Sequence, residues 1–273
     1  MTALTHDRRD LIDWMLMILF AWSLAGLFWT PYDPQAQAFL GELRTGPSAA
    51  HLLGVDSLGR DVLSRVWTGA GHTVLLGGAA SAGTLAIASI LLWIEQQGPR
   101  FLKTLIRSLI SAGLAMPVLL VGLILLVFLQ PSSWTLVAAC AIGGVPFGFR
   151  QLHVVWSEQS GAVYALASRS LGASRWHLVW FTLWPNVRPQ AVSLAKLMFA
   201  VGVLELSGLT FLGLTGDPDF PELGTILRQN QADLFLQPLL VLWPGALLSG
   251  LLLLVHISNI RSGAGSRRLS SAS

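Results

Sequence analysis

The sequence predicts an all-α protein embedded in a membrane. Hydrophobic residues make up 53% of its 273 positions and charged residues 11%, with a mean hydropathy of +0.63. That balance falls outside the range of ordinary soluble domains. Apolar runs recur at lengths that match the 17 to 25 residues, roughly, that a helix needs to cross hydrocarbon. Tryptophan is abundant, with 11 against two tyrosines. Trp14, Trp29, Trp93 and Trp134 stand near the ends of apolar runs, where amphipathic rings anchor at the membrane interface.

Six spans are predicted in order: Trp14 to Thr30, Val74 to Ile94, Leu109 to Leu129, Trp134 to Phe149, Ala191 to Leu209, and Leu239 to Ile260. The first follows His6, Arg8 and Arg9 without a small-residue cleavage signature, which predicts a retained helix. The fourth is short and carries Gly143, Gly144 and Pro146, a composition that favours bending or close helix approach. Pro117 and Pro244 predict local distortions in the third and sixth.

The formal charge of +3 is scattered, with no basic stripe of the kind that binds nucleic acid. Cys140 is the one cysteine and lies in an apolar run, so an intrachain disulfide is excluded. The six histidines form no i, i+4 pairing with an acid on one helix face, and no metal site or cofactor of this chain's own is expected. Spacing gives no Ser-His-Asp or paired-carboxylate arrangement either, so a non-catalytic subunit is expected.

Orientation follows from lysine and arginine bias. With the N-terminus inside, twelve basic residues fall on the cytoplasmic side: Arg8, Arg9, Arg100, Lys103, Arg107, Arg150, Arg169, Arg175, Arg188, Arg261, Arg267 and Arg268. Four fall outside: Arg44, Arg60, Arg65 and Arg228. Both termini are therefore expected in the cytoplasm. Three regions result: 1–73, holding the N-terminal tail, first span and an extracytoplasmic segment; 74–261, a five-helix core; and 262–273, a cytoplasmic tail.

Within the core, residues 150–189 form a polar cytoplasmic loop. Val163, Leu166, Ser170 and Leu171 follow helical spacing, and Gly172 interrupts it. Ser174 is placed to N-cap a second helix carrying Trp176, Val179, Trp180, Leu183 and Trp184, which Pro185 is expected to stop. On periodicity alone, a pair of amphipathic helices resting on the inner leaflet explains the loop equally well.

The loop also resembles the EAA loop of ABC importer permeases. Leu166, Ala167 and Ser168 occupy the EAA positions, Gly172 and Ala173 the glycine turn, and Trp184-Pro185 the closing apolar-Pro pair. Leu166 replaces the family's leading glutamate, so an ion pair from that position is lost. The segment HLLGVDSLGRDVLSRVWTGA, with His51, Gly54, Asp56, Gly59, Arg60, Asp61 and Arg65, resembles the motif preceding the second span in the second permease of peptide and nickel importers. It departs from that motif at Leu52 and Val55. FLGLTGDPDFPELGTIL, with Phe211, Leu212, Gly213, Pro221, Glu222 and Gly224, resembles the element after span five, Leu223 replacing a tryptophan. The sequence Pro31-Tyr32-Asp33-Pro34 after the first span fits the same family.

The resemblance implies a permease subunit of a type I ABC importer in the bacterial inner membrane. Its implied partners are a homologous permease, two ATP-binding subunits that hold ATP and magnesium, and an extracytoplasmic solute-binding protein. The cargo would be a dipeptide, an oligopeptide, or nickel or another metal chelate. The 166–173 helix and turn would dock in an ATPase cleft, and the outer segments around 51–65 and 217–222 would meet the binding protein.

Gly54 and Gly59 before Arg60-Asp61 mimic a phosphate loop, but the lysine and magnesium-binding hydroxyl are replaced by arginine and aspartate. A short helix pairing Asp56 with Arg60 and Asp61 with Arg65 on an exposed face is expected instead. In the fifth span, Lys196 lies near the inner end and is expected to snorkel. Glu205 lies about 13 Å further along and on a nearly opposite face, so it either lines a polar pathway or contacts a partner subunit. An ion-coupled secondary carrier would want intramembrane acids in repeated broken helices. A membrane scaffold or enzyme is the remaining alternative.

Overall fold

The computed structural model describes residues 2–130 and 132–270, with the side chains of 11–130, 132–174 and 176–260. Helices in chain order are α1 (Thr2–Ala25), α2 (Val62–Gln97), α3 (Arg100–Leu114), α4 (Val118–Phe128), α5 (Ser133–Ser160), α6 (Val163–Ser170), α7 (Arg175–His177), α8 (Trp184–Phe211), α9 (Leu223–Asn230) and α10 (Leu239–Ser270). A π-helical turn, Leu178–Leu183, joins α7 to α8. Among the described residues there is no strand, only an isolated bridge between Val55 and Asp61.

Two of the long helices, α2 and α5, start where the sequence supplies a cap. Asp61 caps α2, accepting from the Ser64 backbone at 2.8 Å. Ser132 and Thr135 form a reciprocal capping box at α5. These caps satisfy amide groups that the first helical turn leaves without partners.

Four helical segments are long and apolar enough to cross a membrane: Val62–Gln97, Ser133–Ser160, Leu178–Phe211 and Leu239–Ile260. They include the second, fourth, fifth and sixth predicted spans, each extended at one or both ends except the sixth. The fourth is not short, because α5 runs eleven residues past Phe149 to Ser160. Pro146 sits within it without ending it. The third predicted span, Leu109 to Leu129, is not one helix. It breaks at Ala115–Pro117, and α3 and α4 meet at a bend of 98°. Pro117 has no N–H to continue the α3 ladder, and its ring disfavours helix at Met116. The apolar stretch of α1, Leu11–Ala25, is shorter than the predicted first span and ends five residues before Thr30.

The core lies where α2, α5 and α8 meet. Leu76, Ala80, Ala139, Leu206 and Leu209 pack with Leu126 of α4. Small residues set the spacing. A Cβ on Gly77 would come within 2.6 Å of Val203, and one on Gly202 within 2.9 Å of the Gly77 carbonyl. Such close backbone approach is how helices gain packing contacts in lipid, where no hydrophobic drive separates helix from solvent. Thr84 adds a hydroxyl bond from α2 to Ala141 of α5 at 2.9 Å. A second layer places Phe20 of α1 against Phe199 of α8, with Val74, Val203 and Leu251 beneath.

One end of this bundle collects residues 26–61 and 212–238, and the other collects the 161–177 segment. The four tryptophans read as interfacial anchors, Trp14, Trp29, Trp93 and Trp134, are all exposed.

Candidate functional site

At the first end, the HLLGVDSLGRD motif is a tight loop and not the expected short helix. Gly54 and Gly59 take φ of +89° and +76°, conformations that side chains disfavour and that fold the loop back on itself. Asp56 and Arg60 pair as expected, at 2.7 Å, but both are buried rather than exposed. Asp61 does not pair with Arg65. It caps α2 through Ser64 and holds His51 Nδ1 at 2.9 Å.

Arg60 extends further, donating to Asp219 at 2.9 Å and Gln229 at 3.1 Å. Arg65 donates to the same Gln229 carbonyl at 2.7 Å and to the Pro34 carbonyl at 2.9 Å. Two buried guanidiniums thus tie the segment after α1, the start of α2 and the segment before and within α9. Burying an arginine is tolerable only when such partners replace its water.

The second motif is tied to the first by Glu222, which is fully buried. One carboxylate oxygen accepts the hydroxyls of Thr73 and Ser207, each at 2.7 Å. The other accepts Thr210 Oγ1 at 2.5 Å and the backbone amides of Gly224 and Thr225 at 2.7 and 3.3 Å. Glu222 is therefore the N-cap of α9 and a joint between α2 and α8. Beside it, Pro221 presents its carbonyl to His72 Nδ1 at 2.7 Å. Gly224 is buried in the same joint, Gly213 turns the chain at φ +86°, and Phe211 and Leu212 are exposed.

At the opposite end, α6 and the turn after it form a small outcrop. Ala165, Leu178 and Leu183 make its core, against Trp156 and Tyr164. Tyr164 donates to Gln159, and partial burial raises its phenol above the ordinary range. Ser168 and Thr182 bond at 3.2 Å, fastening α6 to the π-helical turn. Gly172 has φ +81°, and the amides of Gly172 and Ala173 bond back to Arg169 and Ser168 carbonyls, closing α6 as a left-handed C-cap. Ser174 caps the next helix as expected, accepting from the His177 amide at 3.2 Å. Pro185 does not stop that helix. It follows closely on the π-helical turn, and the chain stays helical to Phe211.

The outcrop shows apolar side chains to solvent. Val163, Leu166 and Leu171 are 82, 51 and 89% exposed, and Trp176 and Phe181 are 69 and 68%. Ala167 is exposed too, while Ser168 and Ala173 are half-buried and Trp184 and Pro185 sit exposed at the start of α8. A Cβ on Gly172 would meet nothing within 4 Å in this chain. Among the described residues nothing covers this apolar cluster.

Between the two ends, Lys196 does not simply snorkel. Its Nζ reaches Asp13 of α1 at 3.3 Å and Ser258 of α10 at 2.5 Å, joining three helices at one level. Glu205 is buried in α8 and makes no hydrogen bond or ion pair among the described residues. A further acid, Glu95 near the end of α2, is fully buried and receives Arg107 Nε at 2.6 Å. Sequence reasoning passed over Glu95 because it stands just beyond the apolar run. An acid so close to a span end, with arginine twelve residues later, was the signal available.

An all-helical, membrane-embedded subunit with a clamped loop module at one end and an open apolar outcrop at the other is a protein built to work with others. Residues 86–261 match the family described as binding-protein-dependent transport system inner membrane component, and the chain belongs to that family. It is thus a multi-pass inner membrane ABC permease. Over 229 residues it is 34% identical to a di/tripeptide transport system permease protein of Pseudomonas aeruginosa, covering 81% of this chain and 75% of the relative. It is 30% identical to a peptide transport system permease protein of Escherichia coli over 241 residues, covering 85% and 80%. A glutathione transport system permease protein of Pectobacterium atrosepticum is 25% identical over 229 residues, covering 84% and 76%.

Proposed function

We propose that this chain is one of two permeases in an ATP-driven importer of short peptides, and that it is driven through the α6 outcrop by a separate ATPase subunit. The observation that carries the coupling role is the exposed apolar set Val163, Leu166 and Leu171 beside a Gly172 turn that none of the described residues covers. Support for peptides over nickel or metal chelates as cargo comes from the names of the relatives. The companion permease, two ATPase subunits and an extracytoplasmic binding protein complete the machine.

In this reading the chain crosses the membrane six times, counting α1 and the bent α3–α4 pair with the four long helices. Both termini and the 161–177 outcrop face the cytoplasm, and the 26–61 and 212–238 segments face outward. ATP-driven closure of the ATPases moves α6. The Ser168–Thr182 bond and the helical run from Arg175 to Phe211 pass that motion into α8. At the far end of α8, Ser207 and Thr210 hold Glu222, so the same helix reaches the outer module. The rigid link between the two ends is therefore α8.

Glu205 is proposed to line the polar path that opens between this chain and its companion. Its test is Glu205→Gln in reconstituted vesicles: altered uptake or altered peptide preference supports the role, and unchanged kinetics for every peptide removes it. The coupling role is tested by cysteine pairs between positions 166–171 and the ATPase. Crosslinks that form and change with nucleotide state support it, and transport that survives deletion of α6 ends it.

A further inference from the structure

A groove of about 370 Å³ runs between α3 and the end of α5 that the proposed topology places in the cytoplasmic leaflet. Its rim carries Arg107 and Ser111 of α3 with Arg150 and His153 of α5, and its floor is apolar, including Leu114 and Phe149. Arg107 is held by Glu95, which receives its Nε at 2.6 Å. The two terminal nitrogens of the guanidinium make no hydrogen bond among the described residues, and the side chain is 61% exposed. Arg150 is exposed and has no ion-pair partner among the described residues.

Glu95 is the one acid that faces this cluster from α2. Its second oxygen stands 3.6 Å from His153 Nε2 and has no hydrogen-bond partner. One buried carboxylate against two arginines leaves the rim cationic, whatever the state of His153. An anion is what such a rim recognises, through charge-assisted bonds from two planar guanidiniums.

Depth and surroundings select the anion. Arg150 lies about 26 Å along α5 from its first residue, close to the far boundary of a hydrocarbon layer roughly 30 Å thick. Val154 of α5 lines the groove and is exposed, and Phe101 and Leu109 of α3 are exposed as well. An amphiphile with an anionic head and apolar tails matches a cationic rim above an apolar floor. Basic pockets between helices on the cytoplasmic side suit phospholipid head groups for this reason.

We propose that the α3–α5 groove binds the phosphate head group of an anionic phospholipid of the inner leaflet, gripped by Arg107 and Arg150. The site fastens α3, the cytoplasmic part of the bent third crossing, just before the 98° bend. The inference rests on the orientation given above. It is tested apart from transport.

The full complex is placed in nanodiscs of phosphatidylglycerol and phosphatidylcholine, delipidated stepwise, and the lipid retained per complex is measured by mass spectrometry. The native chain should retain phosphatidylglycerol preferentially. Arg150→Gln should lower that retention about fivefold, one cation's share, and Arg150→Lys should restore most of it. Inorganic phosphate at millimolar concentration should not displace the lipid, because it lacks tails for the floor. Displacement by phosphate would reassign the groove to a free anion and overturn the lipid proposal. Equal retention of both lipids, or no change on Arg150→Gln, would overturn it as well, as would a groove found covered by the companion permease. A complex that keeps the lipid but fails to import would instead sink the importer reading and leave the site standing.

Discussion

Glu222 shows how much one side chain can organise in a membrane protein. Its two oxygens accept three hydroxyls and two amides from α2, α8 and α9, with no water needed. Glu222→Ala strands those donors in a buried site, a loss on the order of 3 kcal/mol or more. The detergent-solubilised complex should melt at distinctly lower temperature. Glu222→Gln should lose less, since its amide can face the Thr73 and Ser207 hydroxyls, which can turn to accept. Gly172 is a different case. Alanine there meets no neighbour, so its cost is conformational, about 1 to 2 kcal/mol for a left-handed backbone. Asparagine tolerates that backbone and should keep coupling if conformation alone matters. Loss of uptake with Gly172→Asn at normal assembly would mean that the partner packs against the missing Cβ.

At the scale of elements, the helices were the most legible part of the chain and their ends the least. Apolar run lengths located four of the long helices, because lipid imposes that length. They could not report that α5 continues as a polar helix to Ser160, since no membrane constrains that part. The break of α3 from α4 was foreshadowed by Pro117, but its size of 98° depends on what α5 and α8 offer the two pieces. The 51–65 motif was legible as a family mark and misread as a helix. Helical spacing makes Asp56 and Asp61 partners for Arg60 and Arg65; the first pair forms, whereas positive φ at Gly54 and Gly59 folds the loop and sends Arg65, with a terminal nitrogen of Arg60, to Gln229, 164 and 169 residues away. No local rule carries that information. Arg60 thus belongs to the architecture of the 26–61 and 212–238 module. Arg60→Met should leave the buried Asp56 with Arg65, 3.8 Å away, as its remaining cation, costing about 3 kcal/mol, with weaker docking of the 212–222 segment. Increased protease nicking between residues 214 and 221 would report it, and native resistance would count against the clamp.

For the whole molecule, the two faces divide the work. The module of residues 26–61 and 212–238 is cross-linked by buried charged groups, and the outcrop at the other end is small and apolar. In the proposed coupling role, with Leu166 at the position of the resembled motif's glutamate, the grip on an ATPase would rest on apolar insertion, so it should resist high salt. Topology can be read directly: alkaline phosphatase fused after Arg175 should be inactive, and fused within 214–221 active. The reverse pattern would turn the molecule over and remove the coupling role. Most direct is uptake of a labelled dipeptide into proteoliposomes holding this chain, its companion permease, the ATPases and the binding protein. Uptake should require ATP and the ATPase subunits, and Gly172→Asp should abolish it while the complex stays assembled. Uptake that proceeds without the ATPases, or that is indifferent to Gly172→Asp, would contradict the account.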